Sequence, residues 1–576
     1  MPNLFRDARA PAATLAVFAV AALMMLVFLN LRANIYDEAI LLTGGLNVAQ
    51  GAVPHRDFYA NYGPAQFYVL AGLFKLFGPS FLAARVYDVL VRAAVVAIAY
   101  RLLAGRTRPP VALAAAAVCA LWMGGASYHL YPAIPALLFS LAGTLWLLPD
   151  NGEPAGARRL AMAGACTGLV ALFRYDVGFF VFAAHAIFIL AVALAGAGPL
   201  VERSAGFIRR SSVYALGTGL VFVPPAAVLL LSGAGPGFLH DIIAYPSQYY
   251  VAMRGLPFPG WAVIRAAPVE AANYLPFAAA AVAAAGYVRF GGKPDERSGA
   301  PAADKAFVIL LGTLCLALSL KGLVRIHSIH MMLAIIPSTL LLAFLIDRSR
   351  LLPRAAMVAV MFVSLVAVAA PAYQALQFAW TIARNPSLSL AGRLLGVRVK
   401  PGADASRMAL ASAPASLPVE TACAADYVAA VTRPGERIFS GTGRHDKIFA
   451  NNIMLYFASG RLPGTHWYQF DPGLQNRRDV QGRIVADLKR NGVRWAVADG
   501  NWDTVIEPNG SARSSGVRVL DDYLRRNYRE VVRFGRISVW LVNSSKTPRS
   551  FPFMGGDACT ELFVATVQPE PLAGGR

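Results

Sequence analysis

The sequence is short of charge and of cysteine: only 15% of its 576 residues are Asp, Glu, Lys or Arg, and five are Cys. So little charge beside a hydrophobic share of 57% excludes an ordinary soluble globular protein. Five cysteines without a CxxC pair, and no His-rich cluster, argue against a disulfide scaffold and against a structural zinc or redox site. The net charge is +21, yet no Lys/Arg run is long enough to suggest a nucleic-acid partner. The turn Gly441-Thr442-Gly443 lacks the later glycine and the βαβ setting of a nucleotide fingerprint, so a nucleotide-sugar donor finds no support.

What is present is apolar and long. Stretches able to cross a hydrocarbon core of about 30 Å recur near 11–31, 85–104, 109–126, 129–148, 159–173, 176–198, 211–232, 267–288, 306–323, 330–346 and 355–378. They predict a polytopic α-helical membrane protein with about eleven transmembrane helices. The first apolar run ends at Asn30-Leu31-Arg32 without a small-x-small cleavage site, which reads as an uncleaved anchor. Composition changes near residue 384. Residues 1–384 carry 28 Lys/Arg and 15 Asp/Glu, and residues 385–576 carry 25 and 17 in half the length. We therefore expect a membrane domain over 1–384 and a soluble α/β domain over 385–576. Apolar runs at 493–498 and 537–542 set between helical patterns at 480–490 and 520–528 give that second class.

Placing the N-terminus in the cytoplasm puts Arg101, Arg106, Arg108, Arg158, Arg159, Arg203, Arg209, Arg210, Arg289, Lys293, Arg297, Lys305, Arg348, Arg350 and Arg354 in internal loops. An odd number of spans then leaves the C-terminal domain, and the loops 32–84 and 233–266, outside the cytoplasm, in a bacterial inner membrane. Cys423 and Cys559 are the cysteines of the soluble domain, in a compartment where a disulfide persists. Cys119, Cys166 and Cys315 fall inside spans and read as packing residues.

The first outer loop opens on Tyr36-Asp37-Glu38, two adjacent carboxylates that are either a catalytic pair or solvated charges at a membrane boundary. Residues 39–50 pattern as a short helix lying along the interface. Residues 51–80 follow with a Gly/Pro-punctuated aromatic loop and a compact apolar helix. Together these helices roof a cavity at the outer surface.

The order Tyr36-Asp37-Glu38, Gly51 with Pro54-His55-Arg56-Asp57-Phe58, Tyr62-Gly63-Pro64, and Leu76-Phe77-Gly78-Pro79-Ser80 followed by Arg85 resembles the GT-C class of membrane glycosyltransferases. The likeness spans roughly residues 10–350 and is similar to the protein O-mannosyltransferase, aminoarabinose transferase and rhizobial core-oligosaccharide transferase families, glycosyltransferase family 39 among them. It implies inverting transfer of a sugar from a polyprenyl-phosphate donor to an envelope glycan, lipid or protein. Asp37 matches the family's first-loop base, and a carboxylate beside an acceptor hydroxyl suits that role. Glu38 shares it or positions the acceptor.

Charge grows on the leaving phosphate, so fixed cations on the same face are expected. Lys321, Arg325, His327 and His330 cluster at one span junction, with Arg325 the first choice for the phosphate, against the alternative that span-end cations snorkel to headgroups. Arg174 and Asp176 at a second junction either bind phosphate or sugar or simply pair with each other. Asp57 is a candidate for substrate hydroxyls or a loop cap, and His55 and Tyr62 stand with it as substrate-binding candidates. Asp88 and Arg92, four apart, read as a structural pair. No dedicated metal-ligand set is present, although the first-loop carboxylates leave a divalent ion open. Trp467, Tyr468, Trp495 and Trp502 read as core rather than a glycan platform.

Two other classes compete. A flippase or transporter for a lipid-linked glycan also needs many spans, but no repeat relates the halves and only Arg92 lies deep in a span. A membrane scaffold needs far fewer spans than eleven.

Overall fold

The computed structural model describes residues 9–125, 128–149, 153–196, 198–290, 302–348, 354–384, 417–546, 559 and 562–565. Of the named internal-loop cations, Lys293, Arg297 and Arg350 lie outside the described residues. The apolar stretches fold as helices in chain order: α1 (Arg9–Val27), α2 (Asp37–Ala49), α3 (Ala65–Phe77), α4 (Phe81–Leu103), α5 (Pro109–Gly125), α6 (Ala133–Leu147), α7 (Ala157–Phe173) and α8 (Tyr175–Leu194). Then α9 (Leu200–Leu229) runs on through three π-helical stretches, α10 (Gly235–Phe238) and α11 (Val251–Arg254). The bundle ends with α12 (Trp261–Ala266), α13 (Leu275–Phe290), α14 (Ala302–Gly322), α15 (Ser328–Asp347) and α16 (Arg354–Arg384). A helix thus occupies each of the eleven apolar stretches. Among the described residues five continuous helices, Tyr175–Leu194, Leu200–Arg254, Ala303–Gly322, Ser328–Asp347 and Arg354–Arg384, are both long and apolar enough to cross a membrane. Four shorter apolar helices accompany them.

Leucines and phenylalanines that would be costly in water stay exposed on α8, α9 and α16, Phe179, Leu220 and Phe362 among them, as expected of side chains facing lipid. α15 sits inside the bundle, with nearly every residue from Ser328 to Leu345 buried. Small residues set the α7/α9 crossing. A Cβ at Gly164 would stand 2.0 Å from the Tyr214 carbonyl oxygen, and one at Gly217 2.2 Å from that of Ala161, so the two backbones touch where lipid supplies no hydrophobic driving force. His185, Tyr214, Thr144 and Thr167 satisfy one another within that layer.

Charge is sorted to the two bundle ends. At one end Arg108 pairs with Asp347 (2.7 Å) and Arg348 with Asp304 (3.0 Å) and the Arg106 carbonyl (2.8 Å). At the other stand the α2 N-terminus, the α7–α8 and α14–α15 junctions, and the sheet-bearing C-terminal region. There α17 (Val419–Val431), α18 (Met454–Ser459), α19 (Arg478–Arg490) and α20 (Val519–Asn527) accompany a mixed six-stranded sheet of order β2-β1-β3-β5-β4-β6. β1 (Arg437–Thr442) runs parallel to β2 (Leu462–Pro463) and β3 (Trp495–Asp499); β3, β5 (Ile537–Val542), β4 (Tyr528–Phe534) and β6 (Phe563–Ala565) are antiparallel neighbours. Cys423 on α17 is bonded to Cys559 with 5.6 Å between their Cα atoms.

Two expectations need correction. Residues 39–50 do form a helix, but α2 is buried from Glu38 to Val48 rather than lying on the interface, because the C-terminal region closes over it. The backbone N–H groups of Ile453 and Met454 donate to the Ile35 carbonyl (3.1 and 3.2 Å), and the Tyr468 hydroxyl to that of Ile40 (2.8 Å). Residues 233–254 are helix rather than loop. The π turns and a kink at Gly233, whose φ is +87°, let one helix continue while changing direction.

A candidate active site between the helix bundle and the C-terminal region

Asn34 builds the start of α2. Its Oδ1 accepts the backbone N–H groups of Tyr36 and Asp37 (both 2.9 Å), a cap that leaves two carboxylates in the first turn, where the helix dipole favours them. The two then diverge. Glu38 turns inward and takes the Arg85 guanidinium in two bonds, from Nε (2.5 Å) and Nη2 (2.8 Å), plus the Asn34 N–H (3.1 Å), with both partners fully buried. Arg85 spends its other donors on the carbonyls of Asn30 (2.5 Å) and Arg32 (2.8 Å). The expected share of Glu38 in catalysis is therefore corrected: its oxygens are occupied, and it fixes the first loop onto α4.

Asp37 faces the other way. Burial pushes its carboxyl up to about 6, against the Arg254 charge, with Asp471 raising it further and Arg325 and the Asn34 side chain opposing. Tyr62, Tyr128 and Tyr131 share its electrostatic surroundings. Arg254, at the end of α11, donates to Asp471 Oδ1 (3.2 Å) and lies against the rings of Tyr36 and Phe449. Arg325 donates to both oxygens of Glu507 (2.8 and 2.5 Å) and to the Arg254 carbonyl (3.1 Å). Leu256 and Arg325 form a short parallel bridge that holds the α11 end beside the α14–α15 junction.

Lys321 differs from these arginines. Its Nζ donates to the Tyr131 hydroxyl (2.6 Å) and stands 3.3 Å from His330 Nδ1, and among the described residues no carboxylate is in ion-pair contact with it. His327 faces Glu270 (3.4 Å) and caps α15. Arg174 grips Asp176 through Nε (2.9 Å) and Nη2 (2.5 Å), and its guanidinium lies 5.3 Å over the Tyr62 ring. Tyr62 packs on Tyr131 at 6.2 Å, which joins the Arg174 pair to the Lys321 group.

Glu38 apart, the structure brings together Asp37, Tyr62, Arg174, Asp176, Lys321, Arg325, His327 and His330, and leaves two candidates aside. His55, at φ +67°, is buried against Asp241 (3.0 Å). Asp57 caps its own loop through the Val53 N–H (2.7 Å) and pairs with exposed Arg56 (2.7 Å). His55 is thus paired to Asp241 and Asp57 to its own loop, both apart from the group around Asp37. Asp88 and Arg92 pair (2.8 Å) and take His129 and the Leu130 N–H as well. Trp467, Tyr468 and Trp495 are buried core. Among the described residues no three Asp, Glu, His or Cys side chains gather as a metal site. Arg254 pairs with Asp471 and acts electrostatically on Asp37.

Sequence reading missed Arg254, Asp471, Glu507 and Tyr131. Arg254, a lone cation ending a long apolar stretch, carried a signal; Asp471 and Glu507 carried none, because only the tertiary fold brings them here.

Residues 61–204 match the family model described as dolichyl-phosphate-mannose-protein mannosyltransferase. No curated protein sequence matches the chain. Among solved structures, apo ArnT from Cupriavidus metallidurans is 16% identical with a TM-score of 0.52, over 92% of this chain and 98% of that one. The same protein bound to undecaprenyl phosphate gives 16% and 0.48, over 93% and 99%. The oligosaccharyltransferase of Archaeoglobus fulgidus, tethered to an acceptor peptide, gives 12% and 0.46, over 91% and 73%. In its overall fold and in the matched segment, the chain is similar to the GT-C-like, polyprenyl-phosphate-dependent glycosyltransferases.

Proposed function

We propose that the chain is an integral-membrane glycosyltransferase that moves a sugar from a polyprenyl-phosphate donor to an envelope acceptor, at the bundle end covered by the C-terminal region. The observation that carries this reading is Asp37, a carboxyl raised by burial to about 6 at the first turn of α2, with Arg254 and Arg325 acting on it from the bundle. The match of residues 61–204 to a lipid-phosphate-mannose transferase family supports the donor class.

Asp37 accepts the proton of the acceptor hydroxyl as that oxygen attacks the anomeric carbon. The bond from that carbon to the phosphate oxygen breaks on the opposite side, so the configuration inverts. The phosphate leaves with the electron pair, and Lys321, the cation without a carboxylate, meets its charge together with the Tyr131 hydroxyl. Arg325, first choice from sequence, is held by Glu507, so a phosphate reaches it only by displacing that carboxylate. The arginines of the loops at the far bundle end, Arg106, Arg108 and Arg348 among them, support an extracytoplasmic active face, with the N-terminus inside.

A transporter would bury its site near the bilayer midplane between repeats. Here Asp37 and Arg325 converge at one bundle end, which favours the transferase. The test is transfer of label from radiolabelled polyprenyl-phosphate sugars to an outer-envelope extract by the protein in lipid nanodiscs. Transfer by wild type and not by Asp37→Asn supports the reading. Labelled lipid crossing the bilayer without transfer replaces it with a flippase.

A further inference from the structure

Residues 466–476 of the C-terminal region reach into the bundle end and place Asp471, 3% exposed, beside the first loop. Its Oδ1 lies 3.1 Å from the Tyr36 hydroxyl and 3.2 Å from Arg254 Nη2; its Oδ2 accepts from the Tyr59 hydroxyl (3.2 Å) and Gln469 Nε2 (2.9 Å). The loop is braced from both sides. The Asp471 N–H donates to Gln475 Oε1 (2.7 Å), the Tyr36 hydroxyl stands 2.6 Å from the Phe470 carbonyl, and the Tyr245 hydroxyl donates to that of Pro472 (3.0 Å).

We propose that Asp471 is a positioning residue of the active site, so that the helix bundle forms a complete catalytic centre only with this carboxylate of the C-terminal region seated in it. The inference rests on the transferase reading. Two contacts carry it. Tyr36 immediately precedes Asp37, so its anchorage on Phe470 and Asp471 fixes the backbone from which the base projects. Arg254 is the strongest opposing charge on Asp37, and Asp471 neutralises it at contact distance. An ion pair removed from water carries a desolvation cost that a neutral anchor would avoid. The charge therefore has work that an amide cannot do: with Arg254 countered, Asp37 keeps enough proton affinity to act as a base near neutral pH.

The groups facing Asp37 are Arg254 from α11, Arg325 from the α14–α15 junction, Asp471 from the C-terminal region, Asn34 and Tyr36 from its own loop, and Tyr62, Tyr128 and Tyr131. Removing the Asp471 charge leaves Arg254 uncountered, and Arg254 favours ionised Asp37. The acid limb of activity then moves down.

The test uses the full chain in lipid nanodiscs, with radiolabelled polyprenyl-phosphate mannose, glucose and galactose as donors and an outer-envelope extract as acceptor. kcat/KM is measured against pH for wild type, Asp471→Asn, Asp471→Glu and Arg254→Gln. Infrared titration of the carboxyl band absent from Asp37→Asn follows Asp37 without needing turnover. Asp471→Asn is expected to lose at least tenfold in rate and to move both the acid limb and the infrared midpoint down by about one pH unit. Asp471→Glu restores both, and Arg254→Gln moves them up, which keeps the test open if Asp471→Asn does not fold. A lowered rate with limb and midpoint unmoved, or a downward move in Arg254→Gln, overturns the proposal. If wild type transfers no sugar while the midpoint still moves, the transferase reading falls and takes the catalytic place of Asp471 with it; the infrared shift tells this failure from the first.

Discussion

Asp37 and Glu38 are neighbours in sequence with opposite expected phenotypes, and the structure sets the size of each. A carboxyl with an ordinary value near 4, pushed to about 6 in the fold, binds its proton more tightly when folded. Stability is therefore lost as pH rises between those values and stays lost above them. Two pH units are worth about 3 kcal/mol, the cost of holding Asp37 ionised at pH 7.5. Asp37→Asn relieves that cost, so the variant should be at least as stable as wild type while losing about 10²- to 10⁴-fold in transfer rate, the usual worth of a positioned base. Glu38→Gln does the reverse. An amide cannot accept from both Arg85 Nε and Nη2, and it leaves a fully buried guanidinium short of its counter-charge, at about 3–5 kcal/mol. Thermal survival of monodisperse protein at pH 7.5, paired with single-turnover transfer, separates the two. The reasoning is refuted if Asp37→Asn melts as early as Glu38→Gln, or if Glu38→Gln keeps wild-type stability and loses only turnover.

Wild-type kcat/KM should fall tenfold per pH unit below about 6, because the base works only when ionised; a flat profile down to pH 5 would remove Asp37 from that role. Lys321→Met should raise the donor KM and lower kcat together, by at least tenfold, measured with saturating acceptor. Glu507→Gln frees Arg325 for the phosphate and should tighten donor binding several-fold in an equilibrium lipid-binding assay. Opening the Cys423–Cys559 link, which closes 136 residues, should cost up to about 5 kcal/mol in the chain-entropy account, read as earlier melting of Cys423→Ser.

The spans were legible because a bilayer imposes a length and a polarity on every crossing segment, and those survive in single sequences as runs such as 330–346. The α/β pattern at 493–498 and 537–542 was legible for a similar reason, since β3 and β5 are buried over most of their length and read as mainly apolar runs. Position relative to the membrane was harder. Residues 39–50 alternate polar and apolar side chains like a helix at a water boundary, yet Thr43 and Asn47 face protein, because a region over 400 residues later closes over α2. Residues 233–254 hold the glycines and prolines of a loop; Pro236 sits in the α-helical turn between two π stretches and Pro246 opens a third, and neither ends the helix.

The same distance effect explains why Arg325 stood out from sequence while its partner did not. A cation at an outer span junction is conspicuous, because the positive-inside bias does not account for it. Glu507 is one carboxylate among many in a charged region. Yet the pairing decides the charge of the site: Arg254 meets Asp471 and Arg325 meets Glu507, so the C-terminal region contributes two negative charges to a face where the bundle presents unmatched positive ones. Of the site's cations Arg174, Arg254, Arg325 and Lys321, Lys321 is the one with no carboxylate at contact distance among the described residues, and it sits beside Tyr131 and His330 rather than beside that region. On the proposed mechanism a phosphate entering from the lipid meets Lys321, and the acceptor proton is taken at Asp37, under the C-terminal region. The two halves of that mechanism would then be divided between groups that the membrane bundle supplies alone and groups that it shares with the fold above it.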